Sequence, residues 1–445
     1  MNTDGSPAGP EDGDPPMATR GMASEQSGPF GVIFRTLKSR NYRLFFAGQG
    51  VSLIGTWMQQ VALSWLVYRL TDSVFLLGVV GFAGQFPTFV ISPFAGVLSD
   101  RWNRHRTLIL TQALSMAQAL TLAVLVLTGT VAVWHIIVLS LFLGCVNALD
   151  IPTRQSFVIH MIDDKRDLGN AIALNSAMFN GARFLGPSVA GVLIALVGEG
   201  ICFLLNGLSY LAVIAALLAM KLSPATPAKK STNILQELAE GLRYAYEFKP
   251  IRFILLLLAL TSFMGVPYAV LMPAFARDVL HGGPHTLGFL MSAAGVGAFM
   301  GAMYLASRTS VLGLGRIIPL SSGIFGLGLI AFAFSRTLWI SLLLMLVVGI
   351  GIMIHVASCN TMLQTLVEDG KRGRVMSFFA VAFLGMAPLG SLMAGSVAQA
   401  IGITATMAIG GVFCIAGAVF FAGKLPMLRS IVRPIYAEKG IAGPS

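Results

Sequence analysis

The chain is 445 residues long, 56% hydrophobic and 11% charged, with a mean hydropathy of +0.79. A soluble domain carries about 25% charged residues, so a water-soluble fold is excluded and an all-α polytopic membrane protein is expected. The formal charge of +11 gives no support to nucleic-acid binding, because the basic residues are spread over many short loops instead of one patch.

Residues 1–29 form a Pro/Gly-rich, mildly acidic segment (MNTDGSPAGPEDGDPP at its start) with no basic start and no apolar run. It is read as a disordered tail and not as a signal peptide. From Phe30 to Phe46, Phe30, Ile33, Phe34 and Leu37 alternate with Arg35, Lys38, Arg40 and Arg43, the pattern of a helix lying on a membrane surface. Twelve apolar stretches then follow, each near the ~20 residues that a spanning helix needs: roughly 44–67, 74–98, 107–128, 131–149, 168–196, 201–220, 251–275, 286–306, 316–335, 338–360, 373–399 and 403–422. They divide into a six-helix half at 30–220 and another at 251–422, with a polar linker at 221–250 and a tail at 423–445. Within the linker, Ile234, Leu235, Leu238, Leu242, Ala245 and Tyr246 share one helical face, which predicts an amphipathic helix over 233–248. Lys and Arg gather in the tails, the linker and alternate loops, leaving only Arg69, Arg277 and Arg336 in the loops between. Both termini are therefore expected in the cytoplasm, with the chain in the plasma membrane.

Polar groups inside the spans mark a candidate cavity. In span 1, Gln49, Ser52, Thr56 and Gln59 recur at helical spacing and share one face, which must turn toward other helices or toward a cavity. Asn147, Asn175, Asn180, Asn206, His355 and Asn360 add polar groups in spans 4, 5, 6 and 10. Interhelical hydrogen bonding accounts for many of these, and as a set they also suit a polar strip in an apolar cavity. Arg183 is the one charge expected near mid-membrane, where burial costs at least ~3 kcal/mol. Either backbone carbonyls freed near Pro187 satisfy it, or it anchors an anionic group of a substrate. No Asp or Glu lies at that depth, so proton coupling falls to Asp150 with its neighbour Arg154, to His355, or to the substrate. For His355 a hydrogen-bonded core histidine is the competing reading.

The halves also resemble one another. GARFLGPSVAG at 181–191 returns as GMAPLGSLMAG at 385–395, so that Gly181, Gly186 and Gly191 fall on Gly385, Gly390 and Gly395 at one offset of 204. Gly55, Leu77 and Gly78 meet Gly265, Leu287 and Gly288 at an offset of 210. A membrane chain with two similar halves is the pattern of many secondary transporters. Pro187 interrupts the helix hydrogen bonding in span 5, and the glycines permit tight packing, a combination suited to a rocking helix.

The loop GVLSDRWNRHRTL at 96–108, between spans 2 and 3, places Gly96, Asp100, Arg101, Arg104 and Arg106 in an order that resembles the signature of the major facilitator superfamily. Asn103 stands where that family usually has Gly. The resemblance implies a twelve-helix major facilitator fold and a cytoplasmic gate involving Asp100, Arg101 and Arg104. The matching loop of the second half, YLASRTSVLGLGR at 304–316, keeps Arg308 but has no acid. Span 5 is similar to the Gly-Pro motif of antiporters in the family. DIPTRQSFV at 150–158, with Asp150, Pro152, Arg154 and Gln155, resembles the branch holding the enterobactin exporter, macrolide efflux proteins and transmembrane secretion effectors. That likeness implies proton-driven export of an amphiphilic small molecule by alternating access. The Arg that many drug antiporters carry in span 4 is missing. An importer or lipid-like solute flippase on the same fold, and a non-transporting sensor or scaffold, stay open as alternatives.

Nucleotide-binding loops, zinc motifs and nucleophile–base pairs at diagnostic spacing are not found, so no enzyme, metal or cofactor is expected. Cys145, Cys202, Cys359 and Cys414 each sit alone in a span and read as packing residues. The expected partners are a small-molecule substrate, protons and the bilayer, and the expected working unit is a monomer.

Overall fold

Hydrocarbon offers backbone groups no water, so a spanning segment must close its hydrogen bonds internally, and the apolar runs do so as helices. The computed structural model describes residues 36–158, 161–162, 167–220, 243–308 and 310–439. Among them are twelve long helices: α1 Arg40–Thr71, α2 Val74–Arg101, α3 Arg104–Leu127, α4 Val133–Phe157, α5 Leu168–Val197 and α6 Glu199–Leu218 in the first half. The second half holds α7 Lys249–Val279, α8 Pro284–Ala306, α9 Leu314–Phe334, α10 Leu338–Leu366, α11 and α12 Ile403–Glu438. Helix α11 is built from Asp369–Ala380, a wider π-turn at Val381–Gly385, and Met386–Ile401. Eleven of the helices are long and apolar enough to cross a membrane. The exception, α1, has the length but is diluted by Gln49, Ser52, Thr56, Gln59 and Gln60.

The short connections α1–α2, α3–α4, α5–α6, α7–α8, α9–α10 and α11–α12 lie on one face of the bundle, here called distal. The start of α1, the end of α6, the start of α7 and the end of α12 lie on the other, the terminal face. Two distal turns repeat the pseudo-symmetry: Gly198 and Gly402 both take a positive φ, +82° and +90°, a conformation that glycine adopts without a Cβ clash.

Within the first half α1 packs on α5 and α6, α2 on α4, and α3 on α4 and α6; within the second, α8 and α9 pack on α10, and α12 packs on α7 and α9. The halves meet through α5 against α8 and α2 against α11. The apolar core follows this plan. One continuous cluster joins both halves, from Leu66, Val74 and Ile194 to Leu271, Leu287 and Met407, and its members lie toward the distal side. Nearer the terminal face the core splits into one cluster in the first half, around Tyr42, Phe45, Leu108 and Phe157, and one in the second, around Ile251, Ile318, Leu363 and Tyr436. The halves are thus welded distally and parted toward the termini.

Boundaries differ from those read in the sequence at span 4 and at both ends of the bundle: α4 runs on to Phe157, so Asp150 and Arg154 lie within it. Helix α1 begins at Arg40 with Ser39 at its N-cap, so part of the Phe30–Phe46 helix is the first turn of the span, and residues 30–35 lie outside the described residues. Most of the 233–248 helix also lies outside them, and residues 243–247 are helical. The expected tail after 422 is instead a continuation of α12 to Glu438. Leu428, Val432 and Tyr436, four residues apart, are buried against the second half, and this apolar stripe carries the helix on through Pro426 and Pro434.

Candidate transport cavity and its closures

Close backbone approach seals the distal part of the seam. Gly191 on α5 meets Gly288 on α8, and a Cβ added to Gly288 would sit 2.5 Å from the Pro187 carbonyl oxygen. The other seam repeats the arrangement with the halves exchanged: Gly78 on α2 meets Gly395 on α11, where an added Cβ would lie 2.8 Å from the Val74 carbonyl oxygen. Small residues permit such contact, and small-residue stripes are how membrane helices pack closely. Next to the first pair, the Ser188 hydroxyl donates to Ser292 at 2.6 Å, and Ser292 donates to the Phe184 carbonyl at 2.7 Å.

Charged groups cross the seam at the distal rim. The Arg277 guanidinium donates to Asp72, the Tyr68 hydroxyl donates to Asp278, and Arg277 stands 5.6 Å from the centre of the Tyr68 ring. Inside the first half Arg69 pairs with Glu199 at 2.8 Å. The sequence reading missed this latch. Its one signal was Arg277, a rare basic residue on the basic-poor face, but pairing between the ends of two distant helices is not visible in spacing.

At mid-height, Gly186 lets α5 press on α1, where an added Cβ would be 2.5 Å from Trp57 Cβ. The half-buried Arg183 guanidinium lies over Trp57, 5.8 Å from the ring centre. Phe179 meets Trp57 edge-on at 5.7 Å, and Tyr268 of α7 is within electrostatic reach of Arg183. Among the described residues Arg183 has no hydrogen bond and no carboxylate partner. Of the two readings offered by the sequence, the bond to carbonyls freed by Pro187 is not formed in the described conformation. The carbonyl that Pro187 leaves without its helical donor is that of Arg183 itself, and it faces α8 at Gly295.

The polar stripe of α1 divides. Gln49, Ser52 and Gln59 are buried, and Gln59 accepts from Asn206 at 2.7 Å and donates to Gln118 at 3.0 Å, which joins α1, α3 and α6. Gln59 thus serves interhelical bonding, whereas the buried Gln49 Oε1 has no partner among the described residues. Thr56 alone is exposed, its hydroxyl donating to the Ser52 carbonyl at 2.9 Å. Asn147, Asn175, Asn180 and Asn360 are half-buried; Asn180 donates to the Ser176 carbonyl and Asn360 accepts from Gln364, each at 2.9 Å.

Both titratable candidates lie inside their own halves. Asp150 is buried between α3 and α4; its Oδ1 accepts from Thr111 and Gln112 at 2.8 Å each, and Arg154 stands 3.5 Å from Oδ2. Tyr210, next to Thr56 and Asn206, is within electrostatic reach of Asp150 and Arg154. His355 is wholly buried. Its Nδ1 is 3.1 Å from the Ile318 carbonyl, which fixes the proton on Nδ1, and Nε2 faces Cys359 Sγ at 4.0 Å.

Of the gate motif, the side chains of Gly96, Asp100 and Arg101 lie outside the described residues. Asn103 N-caps α3, its Oδ1 accepting from the Arg106 amide at 3.2 Å, with an ordinary φ of −71°, so this turn needs no glycine. Arg308 donates to its own loop at the Leu312 carbonyl, 2.7 Å away. The four cysteines are free.

Twelve helices in two pseudo-symmetric halves, with a polar mid-height site where the halves meet, define a membrane transporter of the major facilitator fold. The chain belongs to the transmembrane secretion effector family, which matches residues 33–436; it is a multi-pass transporter of small molecules and not an enzyme. It is 27% identical to the staphyloferrin A transporter of Staphylococcus aureus (strain NCTC 8325 / PS 47), covering 87% of this chain and 97% of that one. Against the multidrug efflux pump Tap of Mycolicibacterium fortuitum the identity is 25%, covering 86% and 90%. The fold is shared with the crystal structure of a bacterial homolog of the human lysosomal transporter Spinster, with a TM-score of 0.65 at 13% identity, covering 91% of this chain and 99% of that one.

Proposed function

We propose that the protein is a secondary exporter of amphiphilic small molecules, of drug, macrolide or siderophore type, working by alternating access in the plasma membrane. The observation that carries this reading is the core: continuous across the halves distally, divided toward the termini. With the basic loops on the terminal face and the positive-inside rule applied, that face is cytoplasmic and the described conformation is open inward. The functional units are the 30–220 and 251–422 halves, joined by the 221–250 linker, and a monomer is the working form. When the halves rock, the Gly96–Arg106 segment at the α2–α3 junction, with Asp100, Arg101 and Arg104, closes the cytoplasmic side.

Protons drive the cycle in this reading, with Asp150 as carrier. Arg154, with about a quarter of its side chain exposed, can exchange the carboxylate for solvent, and Tyr210 and Thr56 connect it toward the seam. His355 has both ring nitrogens committed to neighbours and is the weaker candidate. Asp150→Asn is expected to slow proton-driven export in proteoliposomes more than His355→Gln; a double variant that still concentrates substrate rules both out.

The test of the function is accumulation of ethidium, erythromycin and the aromatic carboxylate fluorescein in an efflux-deficient bacterium. Expression of the chain should lower accumulation of at least one, and collapse of the proton gradient should restore it. Raised accumulation would favour the importer, and unchanged accumulation of these and of siderophore-type solutes the non-transporting scaffold.

A further inference from the structure

The Arg183 site is built but unbalanced. Its guanidinium sits halfway along α5, half-buried, over one face of Trp57, with Tyr268 across the seam. Cation–π contact of this kind leaves the in-plane donors of the guanidinium unused, and among the described residues nothing takes them. Its position is fixed on both sides. Gly186 seats α5 on Trp57, and the Arg183 and Phe184 backbone rests on Gly295 and Ser292 of α8. The neighbouring surface is aromatic and accessible, because Phe179, one helical turn toward the terminal face, is 44% exposed.

The site is also one-sided. At the repeat offset of 204, Arg183 corresponds to Ala387, and at 210 Trp57 corresponds to Pro267. The glycine frame is common to the halves, but the cation and its ring belong only to the first. A residue needed for packing alone would be expected in the frame that repeats. This one is an addition to it.

We propose that Arg183, Trp57 and Phe179 form the substrate anchor, and that the substrate is an organic anion: a carboxylate carried on an aromatic or similarly flat apolar body. The guanidinium fork matches a carboxylate through two parallel hydrogen bonds, while the rings take the apolar body. The inference rests on the exporter reading only for the direction of movement, not for binding.

Three probes of one shape separate charge from greasiness: 1-naphthoate, 1-naphthalenemethanol and 1-naphthylmethylammonium, measured by equilibrium dialysis against the full chain in neutral phosphatidylcholine nanodiscs, with empty discs subtracted. The intact protein should bind the carboxylate about tenfold more tightly than the ammonium, as a charge-assisted bidentate pair implies. Arg183→Gln should abolish the preference and Arg183→Lys keep part of it. Phe179→Glu provides a second route that leaves Arg183 in place, since an acid four residues before an arginine pairs with it along the helix; naphthoate binding should be lost while the ammonium is retained. No charge preference in the intact protein, or one that survives both Arg183→Gln and Phe179→Glu, overturns the proposal. Proteoliposomes then distinguish the two readings: naphthoate bound with charge preference but not moved counts against the exporter alone, and transport indifferent to charge counts against the anchor alone.

Discussion

The two seams between the halves are made of the same parts, yet they are shut to different depths. In the α2–α11 seam, Gly78 lies on Gly395 and, further toward the terminal face, the Phe89 ring covers Gly385, where an added Cβ would meet it at 2.3 Å. In the α5–α8 seam, Gly191 lies on Gly288, but Gly181, the counterpart of Gly385, has nothing within 4 Å. Phe299, the counterpart of Phe89 at the 210 offset, is 39% exposed. The repeat thus supplies two equal hinges, and the described conformation opens on the α5 side, where Arg183 and Phe179 stand. Scaffold follows the pseudo-symmetry, and binding chemistry departs from it.

Breaking the shared distal contact should have the largest effect. Gly288→Leu forces side-chain atoms into the backbone of α5, and overpacking costs about 1–3 kcal/mol; transport in proteoliposomes should fall to background and the melting temperature should drop. Next comes the matched pair that tests the asymmetry itself. Gly385→Leu, which must displace Phe89, is expected to depress transport severalfold, whereas Gly181→Leu, entering open space, should leave the melting temperature of the described state unchanged. Similar melting shifts for the two would contradict the difference in seam depth.

The distal ion pairs should matter less. Partly exposed salt bridges contribute about 0–1 kcal/mol, so Arg277→Gln, which loses Asp72 and the Tyr68 ring, should shift the inward-open population by a factor of about five or less. Spin-label distances across the distal rim would read this as a broadened distribution. Smallest of all is Gly181→Ala, for which we expect no measurable change in transport or stability.

Much of this architecture was legible beforehand because membrane helices are long, apolar and punctuated by charge. The glycine frame was readable as a repeat, and the structure adds which glycine meets which. Other features depended on facts that spacing does not carry. The stripe Gln49, Ser52, Thr56 and Gln59 was seen as one face, but only the packing of α3 and α6 on α1 decides that Gln59 bonds to Asn206 and Gln118 and that Thr56 alone is exposed. Asp72, at the end of α1, lies 205 residues from Arg277, which with Asp278 sits in the last turn of α7, and they are joined only once the halves close. The extension of α12 had a signal in Leu428, Val432 and Tyr436, masked by Lys424 and Pro426, which suggested an end.

The central claim is a cavity at the seam that opens to the cytoplasm, walled by α5. Phe179→Cys in a background with Cys145, Cys202, Cys359 and Cys414 replaced tests it directly, using a membrane-impermeant maleimide on right-side-out and inverted vesicles. Labelling from the cytoplasmic side, and its suppression by bound 1-naphthoate, is the predicted result. Labelling only from the outer side, or from neither, would contradict the account.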